Sequence, residues 1–281
     1  MLSRELSQLR EQARLHLLRR NAPCQAQELA RQLFGPERHE TPEAALVVRK
    51  LLESLPDVAR AHDGRWIALD APFLDVPLDA ARLVAVDLET TGSLIGVDCI
   101  IEVGLAVWES GQVVQQFSSL VHNTRRVSPR IRKLTGIEPN QLHEAPPFEE
   151  VAPVVADLLR GAHAFVAHDV RFDLNFLRWE LERLGHDLPE MPGLCTLQLA
   201  QQLWPSHDGW RLQDLAGSFS VTHRHPHRAG EDALATVGVL AHAVADAGVI
   251  GAVTLADLFR LPALVAVDDG RDDLFAADAA G

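Results

Sequence analysis

Leu83-Val84-Ala85-Val86-Asp87-Leu88-Glu89-Thr90-Thr91-Gly92 is the stretch on which the fold of this chain turns. Its first four residues form a continuous apolar run, the mark of a strand buried on both faces. Side chains alternate across a strand, so Asp87 and Glu89 share one face and Leu88 takes the other. Two neighbouring carboxylates at the end of an apolar strand repel each other, and burial raises the cost. A divalent cation such as Mg²⁺, which takes oxygen ligands and keeps some waters, resolves the conflict. Solvated acids at an ordinary strand end are the alternative. Thr90, Thr91 and Gly92 let the chain turn sharply and leave backbone N–H groups near an incoming phosphate.

Working outward, two further apolar runs, Cys99 to Trp108 and Val113 to Val121, flank Glu109-Ser110-Gly111-Gln112 and read as adjacent antiparallel strands. Helical patterns then alternate with short strands such as Ala164-Phe165-Val166-Ala167. Three strands followed by mixed helix and strand predict an α/β domain with a mixed sheet over 83–248. Upstream, Leu6, Leu9, Ala13, Leu17 and Leu18 recur at helical spacing, as do Leu29 and Leu33. Thr41-Pro42-Glu43 signals a helix start, and the apolar periodicity runs on to Leu55. Two short runs flank Asp63-Gly64, a strong hairpin turn. Three helices and a hairpin resemble a winged helix-turn-helix over 1–70, with a recognition helix near 43–55. Its charges nearly cancel, so protein contact or packing stands beside DNA binding as its role. Pro72 and Pro77 mark 71–82 as a linker, and 249–281 reads as an acidic C-terminal tail.

The 281 residues carry a net charge of −13, which on its own argues against a nucleic-acid partner. The distribution qualifies this, because Arg125, Arg126, Arg130, Arg132 and Lys133 form a segment with no acid. Such a segment can hold phosphates locally, or can be a solvated loop. The N-terminus alternates charge with apolar residues and lacks the uncharged core of a signal peptide. The apolar stretch from Ala233 to Val253 carries His242 and Asp246 and reads as a buried helix with its exit loop, so no membrane partner is expected. Cys24, Cys99 and Cys195 are widely spaced and form no CxxC pair, which fits a reducing cytoplasm.

Further acidic positions follow. Ala167-His168-Asp169-Val170-Arg171-Phe172-Asp173 leaves a short strand and opens an apolar helix. Asp173 in the first turn would be favoured by the helix dipole in any case. His227-Arg228-Ala229-Gly230-Glu231-Asp232-Ala233 opens the last long helix. His223, His225 and His227 alternate, so a histidine metal tract competes as a reading, although hard cations prefer oxygen.

Together these motifs resemble the DEDDh exonucleases, the family of the proofreading epsilon subunit of bacterial DNA polymerase III. Val86 to Gly92 is similar to the first motif, Ala167 to Asp173 to the second, and His227 to Asp232 to the third. Ile131-Arg132-Lys133-Leu134-Thr135-Gly136-Ile137 resembles the loop that approaches the 3′-terminal nucleotide. The likeness runs from about 82 to about 245 and departs at Asp169, where the family has Asn. It implies a ribonuclease H-like fold and 3′→5′ release of 5′-mononucleotides, with DNA favoured as the nucleic acid carrying the free 3′ end. Asp87, Glu89, Asp173 and Asp232 would hold two Mg²⁺ or Mn²⁺ ions, and His227 would be the general base. Thr90, Thr91, Gly92, Leu134, Thr135, His168 and Phe172 would meet the substrate, Phe172 being equally readable as core. Five residues on one continuous helix separate side chains by about 140°, so His227 belongs on the loop before the helix that carries Asp232. An RNA-trimming enzyme on the same fold and a non-catalytic nucleic-acid-binding protein are the alternatives. Asp257-Leu258-Phe259 and Asp273-Leu274-Phe275 faintly resemble sliding-clamp-binding peptides but lack the usual Gln, so a replication or repair partner stands as an alternative beside an acidic, partly disordered end.

Overall fold

The computed structural model describes residues 2–35 and 42–261. Thr41 and the second Asp-Leu-Phe repeat lie outside them. The chain begins with α1 (Leu2–Arg20), α2 (Ala26–Phe34) and α3 (Pro42–Glu53), followed by β1 (Val58–Arg60) and β2 (Trp66–Ala68). Leu17, Leu29, Val48 and Leu52 pack together under Val58, Trp66 and Ala68. The hairpin is apolar on both faces. Ala61, Ile67 and Leu69 face the opposite way and enter the core of the following domain.

That domain holds a five-stranded sheet in the order β5-β4-β3-β6-β7. The strands are β3 (Leu83–Thr90), β4 (Ile100–Glu109), β5 (Gln112–Leu120), β6 (Ala164–Ala167) and β7 (Gly193–Cys195). β4 pairs antiparallel with β3 and β5, while β6 is parallel to β3 and β7. The expected mixed α/β sheet is what forms. Leu83 and Ala85 lie against α10 (Ala229–Val249) through Ala233, Val237 and Leu240. Val84, Val86 and Leu88 face α6 (Phe148–Leu159) and α7 (Val170–Arg183) through Val155, Leu174 and Leu177. By alternation, Asp87 and Glu89 lie on the α10 face. Between these elements run α4 (Pro129–Thr135), α5 (Pro139–Glu144), α8 (Thr196–Leu203) and α9 (Leu212–Ser218). By length and apolarity α10 could cross a bilayer, but here it is the central helix on the sheet, with Ala233, Val239, Leu240 and Ala243 fully buried.

Gly104 explains how closely α10 sits. A Cβ at this position would fall 2.1 Å from the Ala229 carbonyl carbon, so the first turn of the helix rests directly on β4. Gly104→Ala is expected to cost about 1–3 kcal/mol through overpacking. A denaturant midpoint equal to wild type would contradict this seating.

Two segments differ from expectation. Residues 71–82 are not a free linker, because Leu74, Leu78 and Ala81 are buried in the core of the sheet domain. The start of the supposed tail is also packed. α11 (Leu255–Leu258) brings Leu255, Leu258, Phe259 and Leu261 into that core. The two segments bond to each other, with Leu78 N–H donating to Val253 O at 2.9 Å and Leu255 N–H to Val76 O at 2.9 Å. The apolar gain outweighs the turn chemistry of the prolines. It also buries Leu258 and Phe259, so the first Asp-Leu-Phe repeat is no exposed peptide.

The hairpin turn seals the β7 edge. Asp63 accepts from Gly193 N–H at 2.8 Å, and His62 Nδ1 accepts from Cys195 N–H at 3.0 Å. Arg65 is only 4% exposed and pairs with Asp63 at 2.8 Å, while also donating to the Met191 carbonyl and Glu190. Burial lowers the His62 pKa to about 4, with Asp63 favouring the charged ring and Arg171 opposing it. The unfolded chain titrates near 6.5, so the folded state binds this proton less readily. Stability from His62 is therefore full above about pH 6.5 and falls by about 3 kcal/mol towards pH 4. His62→Asn keeps an acceptor but does not titrate. Urea midpoints at pH 7 and pH 4.5 should show wild type losing more than this variant, and parallel losses would refute the linkage.

Candidate active site

β3 ends at the site with a register shift between Glu89 and Thr90, a local irregularity of the kind that re-aims side chains beside active sites. The loop beyond it is fixed by Asp98. Its Oδ1 accepts from the Thr91 hydroxyl at 3.1 Å, and its Oδ2 accepts from Leu94 N–H at 2.9 Å. A Cβ on Gly92 would meet Asp98 Oδ2 at 2.4 Å, which is why glycine stands there. Thr91 N–H donates to Cys99 O and the Thr90 hydroxyl to Gly92 O. The Thr91 amide and the Thr90 hydroxyl are therefore both engaged within the protein, so the reading of free backbone N–H groups does not hold at Thr91.

α7 brings Asp173 to the strand end in its first turn, where its Oδ1 accepts from Leu88 N–H at 3.1 Å. His227 occupies the loop before α10 with φ 65°, a left-handed conformation unfavourable for a residue with a Cβ. Asp232, in the first turn of α10, reaches back to accept from His227 N–H at 3.1 Å. Its other oxygen lies 2.5 Å from His223 Nε2. Glu89, His227 and Asp232 each offer a ligand atom within 4.8 Å of the others. Asp87, Asp173, Asp232, His223 and His227 line one cavity of about 660 Å³, together with His168, Asp169, Phe172, Trp210 and Arg211.

The electrostatics are those of crowded carboxylates. Burial first, then Asp232 and Glu102, raise the Asp87 pKa well above the usual range. Burial and Asp87 push Glu89 up to about 9. Burial, Asp87 and Asp169 raise Asp173, against the opposing bond from Leu88 N–H. Acids held so close in a shielded place fit a hard divalent cation, which would return them to the charged form. Asp87, Glu89, Asp173 and Asp232 are the residues that could hold it.

The other expected contacts divide. Phe172 lines the cavity and packs on Phe176 at 5.6 Å between ring centroids. His168 also lines it, but both ring nitrogens are engaged, Nδ1 with the Thr196 hydroxyl at 3.0 Å and Nε2 with Trp210 O at 2.8 Å. Thr135 is turned inward, its hydroxyl donating to Ile131 O and accepting from Ile137 N–H to close α4. Leu134 is exposed on the same helix, outside the lining of this cavity. Asp169 precedes α7 and makes no side-chain capping bond. Sequence reading missed His223, Glu102, Trp210 and Asp98 as site-shaping residues. The only trace of them was the His-x-His-x-His alternation.

A profile of the exonuclease family (RNase_T) matches residues 84–240, more than half of the chain, and the chain belongs to this family in its DEDDh type. It is 38% identical to the 3′-5′ exonuclease DinG of Bacillus subtilis (strain 168) over 160 residues, which are 57% of this chain and 17% of that protein. To the 3′-5′ exonuclease DinG of Staphylococcus aureus (strain USA300) it is 32% identical over 160 residues, covering 57% of this chain and 18% of that one. The chain thus spans less than a fifth of these relatives' length. Among solved structures, E. coli Exonuclease I in complex with a dT13 oligonucleotide has a TM-score of 0.54 at 17% identity, covering 60% of this chain and 42% of that one. These likenesses support the ribonuclease H-like exonuclease fold in general and do not single out the epsilon subunit.

Proposed function

We propose that the protein is a metal-dependent 3′→5′ exonuclease that removes 5′-mononucleotides from DNA 3′ ends. The observation that carries this reading is the meeting of Asp87, Asp173, Asp232 and His227 at one open cavity, with a Glu89 ligand atom within 4.8 Å of those of His227 and Asp232. Two divalent ions, Mg²⁺ or Mn²⁺, held by the four carboxylates would supply an activated water and charge stabilisation for the departing 3′-oxygen. His227 would take the proton from the attacking water, a role suited to imidazole near neutral pH. His223, itself in the cavity lining, meets Asp232 Oδ1 at 2.5 Å and would restrain that carboxylate. Phe172 offers a ring for the terminal base.

Arg125 supports a phosphate-guiding role for the basic segment, because its guanidinium donates to Val97 O and fastens the segment to the loop beyond β3. Leu134 would contact the strand at the end of that segment. The three helices and hairpin at the N-terminus are read as a winged-helix-like unit whose wing is used for packing on the nuclease. Its contribution to DNA binding would come from the exposed face of α3, where Arg49 and Lys50 lie. Free thiols at Cys24, Cys99 and Cys195 support a reducing compartment such as the cytoplasm.

The test uses 5′-labelled single- and double-stranded DNA and RNA with Mg²⁺ or Mn²⁺. A ladder shortening from the 3′ end, abolished by chelation and by Asp87→Ala with Glu89→Ala, is the expected result. Faster trimming of RNA would move the substrate class, and no shortening of any strand would defeat the proposal.

A further inference from the structure

Glu102 is a carboxylate that the catalytic reading leaves without a task. It lies opposite Glu89 in the β3–β4 register and is 2% exposed, so it belongs to the same acidic face as Asp87 and Glu89. Unlike them, it is fully claimed by the protein. Arg228 Nε donates to its two oxygens at 3.2 and 3.0 Å, and Arg228 Nη2 donates to Oε1 at 2.8 Å. The Ala229 N–H, an N-terminal donor of α10, adds a bond at 3.1 Å. Two residues along β4, on the same face, Gly104 gives the space in which Ala229 and Gly230 rest.

We propose that Arg228 and Glu102 form a positioning clamp that sets where His227 and Asp232 stand relative to Asp87 and Glu89. Arg228 follows the left-handed His227 directly, so anchoring its guanidinium in β4 holds that unfavourable backbone turn in place. The Ala229 bond fixes the starting phase of α10, and Asp232 lies three residues further along the same turn. A strand thus dictates the position of a carboxylate on a helix. Neutralising Glu102 also keeps it from competing with Asp87 and Glu89 for a cation. Residues that orient metal-binding groups in this way typically change affinity or activity 10–100-fold when replaced. Arg228 also borders a separate cavity of about 460 Å³ with Gln116, Ser118 and His225, so the clamp is reached from outside the main cavity.

The inference rests on the exonuclease reading but can be tested apart from it. Arg228→Met and Glu102→Gln are titrated directly with Mn²⁺ by calorimetry, and kcat and KM are measured on a single-stranded DNA. The clamp predicts Mn²⁺ affinity about 10-fold weaker, kcat lower by about 10–100-fold and KM within about 3-fold of wild type. Arg228→Lys, which keeps the charge and a donor on a half-exposed side chain, should recover part of both losses. If Glu102→Gln does not fold, the two Arg228 variants decide. A lower Tm with Mn²⁺ affinity and kcat within about 2-fold of wild type would reduce the pair to a structural bond and overturn the proposal. Were wild type to cleave no DNA, the exonuclease reading would fail, and Mn²⁺ affinity alone would decide the clamp.

Discussion

Asp87→Asn is expected to abolish most turnover while leaving the protein at least as stable as wild type. Asp87 stands among Asp232, Glu102 and Asp173, and burial raises its pKa before any neighbour is counted. A carboxylate whose folded pKa lies above its unfolded value contributes most at low pH and progressively opposes folding as pH rises. At neutral pH the amide removes that opposition, with a gain of about 0.5–2 kcal/mol of the kind seen when active-site strain is relieved. The same change withdraws charge from the proposed metal site, so kcat should fall about 10²–10³-fold or more. Melting curves with and without Mn²⁺ separate the two effects. Wild type should gain Tm on adding Mn²⁺, and Asp87→Asn should start as high or higher and gain little. A variant that melts lower than wild type without metal would show Asp87 to be a structural acid.

The second large effect belongs to a residue far from the chemistry. Arg65→Ala is expected to cost about 3–5 kcal/mol, because it leaves Asp63 buried without its cation. Both side chains are nearly fully enclosed, at 5% and 3% exposure, so solvent does little to screen the loss. The same guanidinium ties the hairpin to Met191 O and Glu190 in the nuclease. Wild type should therefore unfold in one transition, and Arg65→Ala at a lower urea midpoint. Two separated transitions in wild type, or a variant stability within about 0.5 kcal/mol of wild type, would contradict the interlock. Deleting residues 1–70 should be more damaging still, since it also strips Ile67 and Leu69 from the nuclease core.

The proposed catalytic face was more legible in the sequence than the residues that support it. Asp87 and Glu89 were readable because strand periodicity is two, and Asp173 and Asp232 only through their resemblance to the second and third motifs of the exonuclease family. Glu102 was not, since one Glu inside the apolar run from Ile100 to Trp108 reveals nothing about an arginine that meets it from 126 residues away. The Thr135 hydroxyl is consumed in ending a helix of about two turns, which its place in the motif did not reveal. The segment 71–82 was read as a linker because its prolines are short-range signals. Its leucines join a core that includes Leu255, Leu258 and Leu261 far along the chain, and such a pairing leaves no periodic trace.

The sealed β7 edge has a consequence for association. A strand edge with free backbone donors is a template for another strand. Among the described strands, β5 is the other edge of the sheet, with Val113 and Val114 exposed on it. A sheet with one open edge can add one copy of itself and then stop, whereas a sheet with two can grow without end. His62 and Asp63 thus terminate a polymer as well as a domain, and a chain that loses them should fail by forming fibres rather than by staying soluble and unfolded.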